Sequence, residues 1–310
     1  MLQRPLLTPI VLGFWLVTSG WLVGTKILPA FNPGPPPGHQ ALYAAGNRTI
    51  PVAWTVWLNE RPVGWALATS SRTAAGGLGI NTHLHVENLV LDEMLPAWVS
   101  RLLQSTAPAG TTVGFDARGG LAIDAAGALR SFSSRISVPG TAEEITLDGT
   151  IDDGRVVATI KAGGMEYEAS RHLPSHVMIG DELSPQATLP GLSEGRCWTV
   201  PVYSQLRPGR ASIELLHAEV GSEETLYWEN TLTRVHVVSY REDPTSDREP
   251  RCRSWVDLSG RVLRQETAIA GARMLFVRRT DESAAQLAEE MMLPSDAAGA
   301  AAPSTEAGIR

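Results

Sequence analysis

Cysteine and lysine are both scarce in this chain, and each shortage narrows what the protein can be. Among its 310 residues the only cysteines are Cys197 and Cys252, and the only lysines are Lys26 and Lys161. Two cysteines can close at most one disulfide, so a small secreted fold held by several cross-links is excluded. We attribute the preference for arginine to the codon bias of a GC-rich genome and draw no functional conclusion from it.

Recognisable catalytic motifs are missing as well. The chain has no G-x-S-x-G nucleophile elbow, and neither cysteine has a papain-like setting. Residues 76–79, Gly-Gly-Leu-Gly, lack the lysine and the strand-to-helix context of a phosphate loop. Asp148, Asp152 and Asp153 do not have the spacing of a calcium loop. We therefore predict no catalytic residue, no metal and no cofactor, and a hydrolase with a site built from distant residues stays open as a weaker alternative.

Basic charge is also in short supply. The chain holds 26 basic and 33 acidic residues, a net charge of −7. Without Arg4 and Lys26, which flank the N-terminal apolar run, 24 basic residues face 33 acidic ones, which gives −9. An acidic body of this kind does not favour nucleic acid or an anionic lipid surface as a partner.

A long, uncharged and apolar run lies at the N-terminus. The 21 residues from Pro5 to Thr25 carry no charge, and as a helix they would extend about 31 Å, roughly the thickness of the bilayer interior. A cleaved signal peptide is the alternative, but its apolar region usually has only about 7–15 residues. Leu28 and Pro29 before Ala30 also make a poor cleavage site. No cysteine near the run could be lipidated. We predict an uncleaved signal-anchor, a transmembrane helix within residues 1–31.

This anchor sets the predicted organisation and location. We expect a single-pass protein of the inner, cytoplasmic membrane whose remaining chain lies in the periplasm or another extracytoplasmic space. Residues 32–49 read as a Pro/Gly-rich spacer. Residues 50–282 are predicted to form a β-rich domain, with a possible joint between two halves near residues 174–192. Residues 283–310 are predicted to be a short helix, from Ser283 to Met292, and a disordered tail.

The pattern after residue 50 is mainly that of β-strands. Residues alternate through segments such as 52–57 and 79–89, and the intervening turns carry Asp, Asn and Gly. We interpret Asp116–Gly119, Asp124–Gly127 and Asp257–Gly260 as turns, and Asp153-Gly154 as a two-residue hairpin. The later strands are predicted at 197–203, 212–220, 232–240, 253–258, 262–269 and 274–278. Short turns at this spacing favour an antiparallel meander.

One helix is predicted to interrupt the strands. Met94, Leu95, Trp98 and Leu102 recur at helical spacing, and Asp92 is a suitable N-cap. The predicted fold class is therefore mainly β, of the α+β type. It consists of a transmembrane helix followed by a curved antiparallel meander, or half-barrel, that is crossed by one helix.

Histidine, tryptophan and cysteine residues are the remaining candidates for a metal site, a ligand site and a disulfide. His83 and His85 form an H-x-H pair that metal sites use, but a polar strand face is the favoured interpretation. The tryptophans of the β-rich region belong to its core or line an apolar cavity. The ligand-binding candidates among them are Trp65, Trp98, Trp198, Trp228 and Trp255. Cys197 and Cys252 form a disulfide or are two unrelated thiols, and the sequence leaves both readings open.

A family resemblance rests on three stretches. Residues 255–266 begin Trp-Val-Asp-Leu-Ser-Gly and read as a hairpin, and this ending resembles the bacterial lipoprotein-carrier superfamily of half-open barrels with an apolar cavity. Residues 57–59 and 63–65 look like the first hairpin of uncharacterised exported β-domains, some of which accompany transglutaminase-like modules. Residues 190–192, with Gly195 and Trp198, look like a segment shared by such anchored proteins. Carriers shuttle freely, so a tethered relative suits a receiving or scaffolding role.

The functional expectation combines these observations. We expect a membrane-anchored, non-enzymatic protein whose β-rich body binds a lipid-like ligand or an envelope protein. A pure interaction subunit of an envelope complex is the main alternative.

Overall fold

A computed structural model describes ten segments of the chain. They are residues 4–22, 51–90, 112–137, 144–162, 164–172, 178–180, 185–204, 213–246, 248–269 and 272–292. The predicted helix around Trp98, residues 94–103, lies outside the described residues, as do the spacer and the tail.

Strands dominate the described chain, with one helix at each end. The elements are α1 (Arg4–Leu22), β1 (Val52–Leu58), β2 (Arg61–Arg72), β3 (Leu78–Val90), β4 (Thr112–Ile123), β5 (Leu129–Ser137), β6 (Glu144–Asp152), β7 (Arg155–Ala162), β8 (Met165–His172), β9 (Met178–Gly180), β10 (Cys197–Ser204), β11 (Ile213–Trp228), β12 (Thr231–Arg241), β13 (Cys252–Asp257), β14 (Val262–Ile269), β15 (Ala272–Arg278) and α2 (Asp281–Met292). The predicted mainly β class is confirmed.

All fifteen strands belong to one open sheet. Its order is β8-β7-β6-β5-β4-β3-β2-β1-β15-β14-β13-β12-β11-β10-β9. The chain therefore starts at the middle of the sheet, meanders outward to β8, and meanders back from β10 until β15 pairs with β1. These pairs are antiparallel, and β9 pairs with β10 in parallel. Strands on both sides of the predicted joint thus share one sheet.

The connection between the two edges requires this sheet to curl. A flat sheet of fifteen strands would be about 67 Å wide at about 4.8 Å per strand. His172 ends β8 at one edge and Met178 begins β9 at the other, and six peptide units reach at most about 23 Å. The sheet must therefore bend until its edges approach each other, although β8 and β9 are not paired in the described strands.

Apolar side chains gather on one face, which we call the inner face. Because side chains alternate along a strand, cross-strand pairs such as Trp54 with Ala66 keep to the same face. Three apolar clusters lie on the inner face: one around Trp54 and Phe276, one around Phe132 and Leu147, and one around Trp198 and Val238. The curl encloses this face, and the opposite, outer face is more polar.

Residues 185–192 lie across the inner face as a strap. Leu189 is fully buried in the Trp198 cluster, and its amide donates to the Gly260 carbonyl over 2.8 Å. The Val262 amide donates to the Ala187 carbonyl over 3.1 Å. Gly260 has a φ of 86°, and a Cβ there would lie 3.0 Å from Pro190 Cα, so the close approach of the strap needs glycine.

The hairpin turns follow the sequence except at one place. Asp153-Gly154 has φ values of 44° and 71°, as a two-residue hairpin requires. The turns at Asp124 and Asp257 are also confirmed, because each carboxylate accepts hydrogen bonds from nearby amides. The turn predicted at Asp116–Gly119 is wrong, because these residues lie inside β4. Cross-strand pairing on both sides of β4 overrides the local turn pattern.

Helix α2 packs on the outer face, over β1 and β2. Its first turn holds Asp281 and Glu282, and the Thr280 hydroxyl accepts from the Ser283 amide over 3.1 Å as an N-cap. Its apolar stripe joins the sheet in one cluster: Ala53, Leu67, Ala284, Leu287 and Ala288, with Trp65 packed against it. The predicted C-terminal helix is thus confirmed, and its place on the outer face is a tertiary finding.

Helix α1 covers most of the predicted anchor. Its large apolar side chains are exposed in the described part, from 57% for Leu16 to 72% for Val17. In the segments that the structure describes, no helix has both the length and the apolarity needed to cross a bilayer.

Candidate functional site

The predicted tryptophan candidates do not converge on one cavity. Trp198 is buried in the inner-face core, whereas Trp65 and Trp255 lie on the outer face. Trp228 is the last residue of β11, at the tip of the long β11–β12 hairpin. Its indole N–H donates a hydrogen bond to the backbone carbonyl of Arg278 over 3.0 Å. Trp98 lies outside the described residues. Trp198 thus lies on the opposite face of the sheet from Trp65 and Trp255, and the ligand-binding role of the tryptophans stays a prediction.

The outer-face and hairpin tryptophans contact arginines. The Arg264 guanidinium lies 4.7 Å from the ring centre of Trp255, and the Arg261 guanidinium lies 5.3 Å from that of Trp228. Such contacts stabilise a surface by cation–π attraction. They explain these two side chains without a ligand.

The inner face carries a small polar patch inside its apolar surroundings. The patch consists of Tyr240, Cys252, Ser254, Gln265 and Thr267, whose strands β12, β13 and β14 are neighbours. The side-chain carbonyl of Gln265 accepts a hydrogen bond from the backbone amide of Gln186, in the strap, over 2.9 Å. The Thr267 hydroxyl donates to Cys252 Sγ over 3.6 Å. The buried Ser254 hydroxyl has no oxygen or nitrogen partner within the described residues.

Burial dominates the electrostatics of this patch. Burial raises the pKa of the Cys252 thiol and that of the Tyr240 phenol above their ordinary values, because the ionised forms lose their hydration away from water. Both side chains are therefore neutral hydrogen-bonding groups at neutral pH. A neutral polar patch within an apolar lining is the usual composition of a site for an apolar ligand with one polar end.

The disulfide that the sequence left open is not formed. Cys197 lies on β10 and Cys252 on β13, so two strands separate them. Their registers also place Cys252 on the inner face, opposite Thr267, and Cys197 on the outer face, opposite Glu219. A disulfide needs Cα atoms within about 7 Å and side chains that point toward each other.

A group of titratable side chains lies on the outer face beside Trp65. His83 Nε2 and His85 Nδ1 each lie 2.9 Å from the same oxygen, Asp116 Oδ1. His85 Nε2 lies 3.1 Å from Glu87 Oε1. Trp65 packs edge-on against the His83 ring and stacks on the His85 ring at 5.5 Å. We call His83, His85 and Asp116 the His–Asp–His group.

Hydrogen bonding favours the charged forms within this group. Partial burial opposes charge on His85, but its hydrogen bonds to Asp116 and Glu87 outweigh burial and raise the pKa of His85 above 6.5. Burial also opposes charge on Asp116, yet the bonds from His85 and His83 hold its pKa below 3.8. The two residues therefore stabilise each other as an ion pair.

Sequence reasoning missed this group because its acid is distant along the chain. Asp116 lies 31 residues after His85, and its local pattern indicated a turn. The only available signal was the pairing of adjacent strands, which puts Asp116 opposite His85. Within the described residues no group of three or more His, Cys, Asp or Glu could hold a metal ion.

A cleft of about 630 Å³ opens between the loop after β12 and the neighbouring strands. Five of its charged side chains form ion pairs: Arg251 with Glu242 and with the adjoining Glu214, and Arg273 with Glu249 and Glu266. Acids that are paired in this way are poor candidates for a general acid or base. The cleft is better described as a structural ion-pair network.

Comparisons with known proteins show no family for this chain. No family model matches the chain, and no curated protein matches it. One similar solved structure is a β-barrel-like protein of a domain of unknown function, DUF1849, from Brucella abortus. It aligns over 74% of this chain and 95% of its own length, with 11% sequence identity and a TM-score of 0.44.

Proposed function

We propose that this protein is a non-enzymatic binding protein, tethered to a membrane, that holds an apolar, lipid-like ligand on the inner face of its curled sheet. The observation that carries this proposal is the gathering of three apolar clusters on one face of a single open sheet. An open edge gives an extended apolar molecule a way in that a closed barrel lacks.

The polar patch supports a ligand with one polar end. Ser254 is almost fully buried, and its hydroxyl has no oxygen or nitrogen partner within the described residues. Its hydroxyl contacts the Cys252 thiol, and sulfur is a weak hydrogen-bonding partner. A carboxyl or hydroxyl from a ligand would give Ser254 a stronger partner and fix the ligand's orientation.

The tether is supported by α1. A helix whose large apolar side chains are more than half exposed gains stability when lipid replaces water around it. We therefore propose that the apolar run Pro5–Thr25, of which α1 covers most, attaches the chain to the cytoplasmic membrane and that the sheet lies on the extracytoplasmic side.

The test combines recovery of bound lipid with a defined probe. The full chain is extracted from membranes in mild detergent, and bound lipid is identified by native mass spectrometry. A dansyl-labelled fatty acid then measures affinity by fluorescence. We expect saturable binding of one probe per chain, weakened about tenfold by Gln265→Leu, the equivalent of losing one hydrogen bond of about 1.4 kcal/mol.

Arg264→Leu is the matched control. It changes the neighbouring residue on the same strand, on the outer face over Trp255, and should leave probe affinity unchanged. Absence of both co-purified lipid and saturable probe binding would reject the proposal. Equal effects of the two substitutions would reject the polar patch as the contact.

A second candidate function, an interaction subunit of an envelope complex, is favoured by the β11–β12 hairpin. Tyr227 and Leu232 face each other near its tip and are 66% and 74% exposed. Exposed apolar surface of this kind is one mark of a protein–protein contact. Under this alternative, Leu232→Ser would abolish co-purification of an envelope partner and leave the fatty-acid probe without saturable binding.

A further inference from the structure

The His–Asp–His group contains one imidazole placed between two acids. Both ring nitrogens of His85 face carboxylate oxygens, those of Asp116 and Glu87. An ionised carboxylate can only accept hydrogen bonds, and a neutral imidazole has only one N–H to donate. The arrangement is therefore complete only when His85 is protonated. Loss of that proton leaves a nitrogen lone pair facing a carboxylate.

This group is joined to α2 through strand β2. The cross-strand neighbour of His85 is Trp65, and that of His83 is Leu67. Leu67 belongs to the cluster that α2 forms with the sheet, and Trp65 packs against that cluster. The stacked Trp65 ring also attracts a cationic imidazole more strongly than a neutral one. The same two β2 side chains thus contact both the histidines and the apolar seat of α2.

The charged side chains around the group are mostly acidic. The charged residues of α2 are all acids, namely Asp281, Glu282, Glu289 and Glu290, and Asp281 pairs with Arg278 over 3.5 Å. Beyond Asp116 and Glu87, the neighbouring strands add His83, Arg118 opposite His83, and Arg279, whose Nε donates to the Thr55 hydroxyl. Removing the charge of His85 therefore increases the excess of acidic over basic groups on the outer face.

We propose that the His–Asp–His group is a pH-dependent latch for the C-terminal helix. The latch holds α2 on the sheet while His85 is protonated and loosens it when His85 loses its proton. This inference does not depend on the proposed ligand, because it concerns the outer face and the seat of α2.

The pH dependence of the latch follows from the titration of His85 and of Asp116. A histidine whose folded pKa is above 6.5 adds stability that is fully present below pH 6.5 and is lost as pH rises through the folded value. Asp116, with its pKa below 3.8, adds stability that is lost as pH falls through that lower value. The latch is therefore closed from about pH 4 to pH 6.5 and opens above this range.

Hydrogen–deuterium exchange on the full chain tests the latch. Protection factors of the amides in Asp281–Met292 are measured at pH 5.5 and pH 8.0, each corrected for the intrinsic exchange rate. We expect protection to fall by about tenfold at the higher pH, the size of effect that loss of one hydrogen bond to a charged group produces. His85→Gln should remove this pH dependence, because glutamine does not titrate.

His217→Gln is the matched control, since His217 also lies on a strand and bonds a neighbouring side chain, Thr199, at 3.0 Å. It should keep the wild-type pH profile. A wild-type profile in His85→Gln, or protection that is independent of pH in the wild-type chain, would overturn the latch. An NMR titration of the His85 ring in the wild-type chain gives a second, independent readout, and a pKa at or below 6.5 would also overturn it.

Discussion

Asp257 holds the β13–β14 turn through four hydrogen bonds. Its carboxylate accepts from the amide and hydroxyl of Ser259 and from the amide and Nε of Arg261, over 2.7–2.9 Å. Burial opposes its charge, but the bonds from Ser259 and Arg261 outweigh this and hold the pKa of Asp257 below 3.8. The turn also contacts the strap, since Gly260 accepts from Leu189. One carboxylate therefore supports two elements.

We predict that Asp257→Ala lowers the free energy of unfolding by about 2–3 kcal/mol at neutral pH, because it removes charged hydrogen bonds from a buried turn. The depressed pKa means that this contribution is present above pH 3.8 and is lost as pH falls through the folded value. Urea unfolding at pH 7 and at pH 3 measures the change.

Asp124→Ala is the comparison, since Asp124 accepts from the Ala126 and Ala128 amides in the same kind of turn. Its effect should be clearly smaller, because this turn is exposed and contacts no strap. Equal losses at the two sites would show that burial of the Asp257 turn contributes nothing.

At the scale of elements, three hairpins use two-residue turns with positive φ at both positions. They are Asn59-Glu60, Asp153-Gly154 and Glu229-Asn230. This geometry follows the right-handed twist of the strands, and Asn and Gly adopt it most easily. Glutamate at φ values of 68° and 46° pays a conformational cost. The twist of the paired strands sets these turns, and residue preference comes second.

We predict that Glu60→Gly, which creates an Asn-Gly turn, raises the free energy of unfolding by about 1 kcal/mol. Glycine adopts the required φ of 68° at Glu60 without strain, and the exposed Glu60 side chain gives up no buried contact. The midpoint of urea unfolding reports the change. Asn59→Val is the opposing control and should destabilise the chain. A decrease for Glu60→Gly would contradict this account of the turn.

At the scale of the whole molecule, the strap ties the returning half of the meander together. Besides its bonds to Gly260 and Val262, the strap accepts a hydrogen bond at the Ala187 carbonyl from the buried Arg278, over 3.3 Å. Leu189 fills the Trp198 cluster. The strap therefore connects the middle of the sheet with the strands near its β9 edge.

We predict that Leu189→Ala lowers the free energy of unfolding by about 3 kcal/mol, through lost burial and the cavity left behind. Leu258→Ala is the matched control, since Leu258 is 54% exposed on the adjoining turn, and it should change stability by less than about 0.5 kcal/mol. Thermal unfolding of both variants measures the two changes in stability. A change below 1 kcal/mol in Leu189→Ala would mean that the strap is not part of the core.

The strands were largely predictable from the sequence, and the sites were not. Alternation and turn residues place most later strands within a few residues, and β14 (Val262–Ile269) matches its prediction. The pattern at Asp116 failed because pairing with β3 and β5 overrides a turn signal. The faces of the tryptophans were not predictable, because alternation assigns a face only after the register is known.

The sequence by itself determined that this chain is an acidic, mainly β protein with an apolar N-terminal helix, because composition and alternation are local properties. Only the tertiary structure decided which side chains share a face, that residues 185–192 form a strap, that Cys197 and Cys252 do not meet, and that His85 lies between two acids. The physical reason is that strand register joins residues far apart in the chain, and a shift of one residue would reverse the face of every side chain.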